Sequence, residues 1–339
     1  MSEQPLKDDK VTPHTVMQDL WAGWRAQALV AAIELEVFTH ISQGKRTAKE
    51  IASASSSSDD GMRRLLDAMV GLGYLDKTGD KYKLEPVSDT FLVRGNKSYL
   101  GEMAYITRNG WDSWSHLTDV VRTGQPMETI DAEEKGREFF PKLISALFPV
   151  SYTAARAAVS GFSEDNLDRI GKILDVAAGS AAWSIAFAEA VPGSMVTVID
   201  FPEVTRITRQ FVEKFKMSDR YVYLEGNMRE INFGEKQYDL VILGQIIHSE
   251  GKEFGEKLIN RSYRALKDRG MLLIAEMVPN DTRTAPVMPL LFALNMLIQT
   301  ENGDVFTMRE YKNWLEKAGF NQVTTIDVPA PSPLILAKK

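Results

Sequence analysis

The chain has 339 residues, four histidines, no cysteine and a formal net charge of −6. Absence of cysteine excludes disulfides, thiolate metal sites and cysteine nucleophiles, and so few histidines predict no histidine-rich metal cluster. The acidic balance argues against a general nucleic-acid binder, while 44% hydrophobic and 25% charged residues describe a globular protein long enough for two domains.

The opening MSEQPLKDDK is polar, without the apolar core of a secretory signal. No uninterrupted apolar run reaches the ~18 residues needed to span a bilayer. A cytoplasmic protein with no membrane partner is expected, frayed over roughly its first ten residues. The segment MQDLWAGWRAQALVAAIELEVF is more apolar than a single surface helix requires. It is either buried in its own domain or packed against a second subunit, which makes Trp21 and Trp24 core or interface residues. Thr47 to Glu50 (TAKE) reads as a capping box. In GMRRLLDAMVGLG, Met62, Leu65, Leu66, Met69 and Val70 share one helical face. YLDKTGDKYKLEP then gives two short strands around Thr78-Gly79-Asp80. Helices followed by a hairpin make a winged-helix pattern. Arg63 and Arg64, on the helix that would serve for recognition, are offset by Asp59, Asp60 and Asp67, which favours a packing module over a DNA-binding one. A long helical region, about residues 100 to 165, leads into the second half.

From about residue 170 apolar β-rich runs alternate with helical patterns: KILDVA, SMVTVID, YVYLEGN, YDLVILG and GMLLIAEM. Such alternation predicts a parallel sheet covered on both faces. QVTTIDV and LILAKK, close together, suit an antiparallel hairpin at its edge. In open α/β sheets ligands sit at the carboxyl ends of the strands. Asp175 ends the first strand and opens the loop ILDVAAGSAAW; Asp200 ends the second, where a carboxylate accepts hydrogen bonds from ribose hydroxyls. NAD and S-adenosylmethionine both fit to this point. A dinucleotide needs glycines so that backbone can approach its pyrophosphate. This loop has only Gly179, with Ala177 and Ala181 where others would stand, so it favours S-adenosylmethionine, which has no phosphate. AAWSIAFAEA is strongly helix-forming, and residue 181 is expected to have helical angles already.

Over nearly its whole length the chain resembles the small-molecule O-methyltransferases of the caffeic acid and hydroxyindole type, including bacterial secondary-metabolism relatives. Their first loop reads Asp-x-Gly-x-Gly-x-Gly; here the positions are Asp175, Ala177, Gly179 and Ala181. The resemblance implies a winged-helix dimerisation domain over 1–100, a helical connector contributing to the active site over 101–165, and a Rossmann-like domain binding S-adenosylmethionine over 166–339. It implies a homodimer through the N-terminal domain, S-adenosylhomocysteine as product, no metal, and a small-molecule acceptor. FPEV after Asp200 matches the family's Asp-hydrophobic-Pro pattern, which puts Asp200 and Phe201 at the ribose. Asn227 and Met228 stand beside adenine, Gln245 on the cofactor side of the fourth strand's end, and Ser151 at the cofactor's amino-acid end. His248, in ILGQIIHSEG, matches the catalytic base. The family follows that histidine with Asp, where this chain has Ser249, with Glu250 close by. Glu276, in LLIAEMVP, matches a flanking glutamate. A second flanking glutamate, which precedes Arg-Thr in some plant members, is replaced in ENGDVFT by Val305, with Asp304 adjacent but shifted.

The chemistry asks much of His248. A phenol of pKa ~10 facing an imidazole of ~6.5 is uphill by ~3.5 units, roughly 5 kcal/mol. A carboxylate beside the imidazolium reduces that gap. Trp111, Trp114, Phe148, Met288, Phe292 and Met296 could line a pocket for an aromatic acceptor, with Met296 at a family pocket position. The expected function is methyl transfer to a hydroxyl of a small aromatic or enolic molecule. The altered His-Asp pair keeps carbon or nitrogen methylation, or cofactor binding without transfer, as alternatives. A winged-helix DNA-binding regulator and an NAD enzyme are the weaker ones.

Overall fold

The computed structural model describes residues 12–127 and 133–339; the opening MSEQPLKDDK lies outside them. Two compact units divide between Gly110 and Trp111.

The first unit begins with α1 (His14–Glu34), α2 (Val37–Ser42), α3 (Ala48–Ala54) and α4 (Asp59–Gly71). The hairpin β1 (Leu75–Thr78) and β2 (Lys81–Leu84) follows, then α5 (Pro86–Phe91) and most of α6 (Met103–Ser115). The TAKE capping box is present: the Glu50 amide donates to Thr47 Oγ1 at 3.3 Å, and the Thr47 amide donates to Glu50 Oε2 at 2.8 Å. α4 starts under a Ser58 cap and buries Met62, Leu66 and Met69. With Val37, Phe38, Ile41, Ile51, Leu75 and Tyr82 they form this unit's core. Of the two alternatives for α1, burial within its own domain does not hold. Only its C-terminal end is buried, at Val30, Ala32 and Ile33. Trp21 and Trp24 stack on one another at 5.4 Å but are 47% and 68% exposed, so they are not core residues of this unit.

The second unit adds α7 (Leu117–Thr123), α8 (Glu133–Ser160) and α9 (Glu164–Leu167) before the sheet. It then alternates β3 (Lys172–Val176), α10 (Ala182–Ala190), β4 (Met195–Asp200), α11 (Pro202–Lys214), β5 (Tyr221–Glu225), β6 (Tyr238–Gly244), α12 (Ile247–Ala265) and β7 (Leu266–Ala275). α13 (Val287–Gln299), α14 (Met308–Ala318), β8 (Gln322–Ile326) and β9 (Leu334–Lys338) complete it. The seven strands run in the order β5-β4-β3-β6-β7-β9-β8. Those from β3 to β7 pair in parallel; β9 and β8 pair antiparallel at one edge, as their spacing predicts.

Side chains alternate across the sheet. Ile173, Leu240, Ile242 and Leu273 face the cluster built with α8 and α10. Leu174, Val241, Leu243 and Leu272 face the one built with α12 and α14. Within α8, Phe140–Ser160 is long and apolar enough to cross a membrane by length and composition alone, yet its Ala154, Ala155 and Ala158 belong to the core of this unit. Strand order reverses between β3 and β6, which opens a crevice at their carboxyl ends. Asp175, Asp200, Gln245 and Glu276 all stand at that edge of the sheet.

Thr47→Ala is expected to cost about 1 kcal/mol of stability, because it removes the cap of α3. A denaturant midpoint unchanged from the parent would contradict that role.

Candidate active site

The loop between β3 and α10 is strained. Ala177, Gly179 and Ala181 have φ of 54°, 55° and 56°. The expectation of helical angles at residue 181 is therefore overturned: Ala181 is left-handed (φ 56°, ψ 23°) and caps α10 instead of belonging to it. Helix propensity governs residues inside a helix, whereas here the chain must reverse from strand into helix within a few residues. A left-handed angle costs an L-residue roughly 1–2 kcal/mol. The Gly179 amide donates to Asp200 Oδ2 at 2.9 Å, and Thr208 Oγ1 of α11 donates to the Gly179 carbonyl at 2.6 Å. Ile144 of α8 packs beneath, 3.5 Å from where a Cβ on Gly179 would stand.

The two carboxylates differ in depth. Asp175, 1% exposed, lies under α10. Burial pushes its carboxyl up to about 7; Ser184 opposes the shift and the Asp200 charge adds to it. Its Oδ2 has no hydrogen-bond partner among the described residues. Asp200 reaches the edge of the loop and is pushed up to about 6 by burial, against the amides of Gly179 and Phe201 that it accepts. Phe201 is half exposed beside it.

Asn227 Oδ1 accepts from the Arg229 amide at 2.9 Å, which forms a turn at the end of β5, and Met228 is buried against the sheet. Arg261 of α12 fixes this turn: it donates to the carbonyls of Met228, Arg229 and Ile231 while stacked on Phe233. Gln245 is left-handed (φ 60°) and donates to the Ala275 carbonyl through its amide and its side chain. Ser151 is half-buried on α8. Trp183 of α10 lies against Gly244, where a Cβ would stand 2.6 Å from the indole.

His248 and Glu276 meet. His248 Nδ1 is 2.6 Å from Glu276 Oε2, and the two side chains are 12% and 1% exposed. Glu276 Oε1 also accepts the amides of Ile246 and Ile247 at 2.8 and 2.6 Å. Phe292 of α13 stands edge-on to the imidazole at 4.9 Å. Met296 is buried one turn further on. Glu250, near in sequence, forms a salt bridge with Arg229 instead. The Asp304 carboxylate accepts from the Val305 amide.

The proposed pocket residues separate. Phe148 is 9% exposed and stacked on Phe211 at 4.1 Å, so packing against α11 leaves little of its ring for an acceptor. Trp111 and Met288 are 48% and 53% exposed, whereas Trp114 Nε1 donates to Asn295 Oδ1 at 3.1 Å. Thr208, Ile144, Trp183 and Arg261 were not singled out from the sequence. Thr205 and Thr208, one turn apart on α11, are the only local signal that could have marked the first.

Ala177→Gly is expected to gain up to ~1 kcal/mol, since relief of ~1–2 exceeds the entropic cost of glycine of ~0.5–1. Ala181→Gly also removes a fully buried methyl, worth ~0.8 kcal/mol, and is expected to be near neutral. Urea midpoints in the opposite order would reject this accounting. Asp175 and Asp200 hold protons in the folded chain at pH values where an exposed carboxyl of 3.8 has released them. The cofactor-free protein is therefore expected to lose stability as pH rises from about 4 to about 7. Unfolding midpoints across that range, compared with Asp175→Asn, check the sign; a steeper fall in the variant would contradict it.

An O-methyltransferase domain model matches residues 114–321, and an O-methyltransferase dimerisation domain model matches residues 19–94. The chain is 28% identical to the tetracenomycin polyketide synthesis 8-O-methyl transferase TcmO of Streptomyces glaucescens, over 97% of this chain and 99% of that one. It is 29% identical to human acetylserotonin O-methyltransferase, over 93% and 94% of the two. A solved structure from Nostoc punctiforme superposes with a TM-score of 0.87 at 28% identity, over 98% of this chain and 100% of the other. That of human N-acetylserotonin methyltransferase in complex with SAM gives 0.86 at 24% identity, over 98% and 99%, a likeness of fold. The matched domain covers more than half of the sequence and contains the whole His248–Glu276 site, so the chain belongs to the O-methyltransferase family.

Proposed function

We propose that this protein is a homodimeric, S-adenosylmethionine-dependent O-methyltransferase that methylates a phenolic or enolic hydroxyl, with His248 as general base. The observation that carries the reading is the 2.6 Å contact between His248 Nδ1 and Glu276 Oε2 at the carboxyl end of the sheet. With Nδ1 engaged, Nε2 is the nitrogen left to take the acceptor's proton. The Glu276 carboxylate stabilises the imidazolium that results.

The loop suits the cofactor. Asp175 has a buried carboxylate oxygen without a hydrogen-bond partner among the described residues. Each Asp200 oxygen accepts one amide, so lone pairs remain for ribose hydroxyls. The loop keeps only Gly179 of the glycines that let backbone approach a pyrophosphate, and Ala177 leaves its methyl partly exposed there, which favours a cofactor without phosphate. Asp200, Phe201, Gln245 and the Asn227–Met228 turn would hold it, with Ser151 at its amino-acid end. Bound S-adenosylmethionine supplies a methyl group on a sulfonium already activated for in-line displacement. The chain's own work is then to align the acceptor and remove its proton. Phe292 of α13, edge-on to the imidazole, offers an apolar wall beside His248. The names of the relatives, a tetracenomycin polyketide synthesis 8-O-methyl transferase and an acetylserotonin O-methyltransferase, support transfer to an oxygen of a small molecule.

Dimerisation is supported by the first unit's match to a dimerisation domain and by its exposed apolar residues. Val16, Leu20, Trp21 and Trp24 on α1, with Val87 and Phe91 on α5, would be covered by a second copy.

Calorimetric titration should show S-adenosylmethionine binding and no NAD binding. With a phenolic acceptor found by screening, His248→Ala should lower turnover by roughly 10²–10⁴-fold and leave cofactor affinity within about twofold. Equal losses of both would reject His248 as the base. A product methylated at carbon or nitrogen would favour the alternative that Ser249, in place of the family's aspartate, leaves open.

A further inference from the structure

His248 is held by its main chain as well as by its ring. α12 has non-helical backbone at Gly251 (φ 76°, ψ 178°), and the turn after α13 lies against that break. A Cβ on Gly251 would stand 2.4 Å from the Asn302 carbonyl oxygen. A Cβ on Gly303 would stand 2.7 Å from the His248 carbonyl oxygen and 2.3 Å from Thr300 Oγ1. Each backbone thus touches the other at a position that only glycine allows. The approach makes a hydrogen bond: the Asp304 amide donates to the His248 carbonyl at 2.9 Å.

The turn is mounted on α13. The Thr300 amide and hydroxyl both donate to the Met296 carbonyl, at 2.9 and 2.7 Å, and the Gly303 amide donates to Thr300 Oγ1 at 2.9 Å. The same helix sets Phe292 edge-on to the imidazole, 82° between ring planes. α13 therefore reaches His248 twice, at its ring through Phe292 and at its carbonyl through the turn. Glu276 holds the other side, at Nδ1 and at the preceding amides.

We propose that the turn from Thr300 to Asp304, admitted by Gly251 and Gly303, is a positioning element for His248. The inference rests on His248 being the general base. Gly303 acts through His248, as a positioning residue. The helix that carries Phe292 and Met296 and the base then move as one body, so the seat of the acceptor sets the placement of the base. Misplacement by about 1 Å can cost roughly 10²-fold in rate.

Gly303→Ala and Thr300→Val, each in the full chain, test this. Three quantities are read: kcat with an acceptor the parent turns over, S-adenosylhomocysteine affinity by calorimetry, and the NMR ring-proton resonances of His248 without acceptor. His248 is one of four histidines, and His248→Gln assigns it. Gly303→Ala should lower kcat roughly 10–100-fold and leave S-adenosylhomocysteine affinity within about twofold. It should also displace the ring resonances, which the Phe292 ring current sets. Thr300→Val should act in the same direction and less strongly. Unchanged kcat and resonances in Gly303→Ala would overturn the proposal, and so would a parallel loss of kcat and affinity. If Gly303→Ala does not fold, Thr300→Val decides, because it keeps the side-chain shape; undisplaced resonances would then overturn it. The resonances need no turnover. A protein that transferred no methyl would refute the general-base reading while they still reported on the turn.

Discussion

The buried carboxylate of Glu276 is the interaction on which the rest of the site depends. It sits directly after β7, and both its oxygens are used. A helix start leaves amides unpaired and carries partial positive charge, which suits an anion. Oε1 meets that demand at the start of α12, and Oε2 turns to the imidazole. A glutamate at a strand end could have capped a helix or oriented a base. Here one side chain does both, so the ring of His248 and the first turn of its helix share a single anchor. Buried amides left without that acceptor would each cost about 1–3 kcal/mol.

The loop after β3 meets a different constraint. Three alternate residues take left-handed angles, two of them alanines. Such angles persist where the surroundings over-determine them. Asp200 takes the Gly179 amide, Thr208 the Gly179 carbonyl, and Ile144 lies beneath. Strand β4, helix α11 and helix α8 thus fix one glycine from three directions. The alanine methyls on either side go where there is space: that of Ala181 into the core, that of Ala177 half into it.

Much of this was legible in the sequence. The β-α alternation, the edge hairpin and the TAKE box depend on neighbours a few residues apart, which periodicity and capping rules describe. Asp175, Asp200, His248 and Glu276 could be placed at one edge because each follows an apolar run, and parallel strands bring their ends together. Phe292 was legible only as a candidate. The angle of Ala181 was not legible, because local propensity cannot report a reversal imposed from outside the helix.

What the sequence determined by itself was therefore the order of elements and the chemistry at the strand ends. Tertiary structure alone decided the pairings. Glu250 turns to Arg229, Phe148 is spent on Phe211, and Trp21 and Trp24 stay exposed. The turn at Gly303 closes on His248, although the two are distant in the chain. Hydrogen bonding and burial act over a few ångströms in space, and only the packed chain fixes which residues distant in sequence come that close.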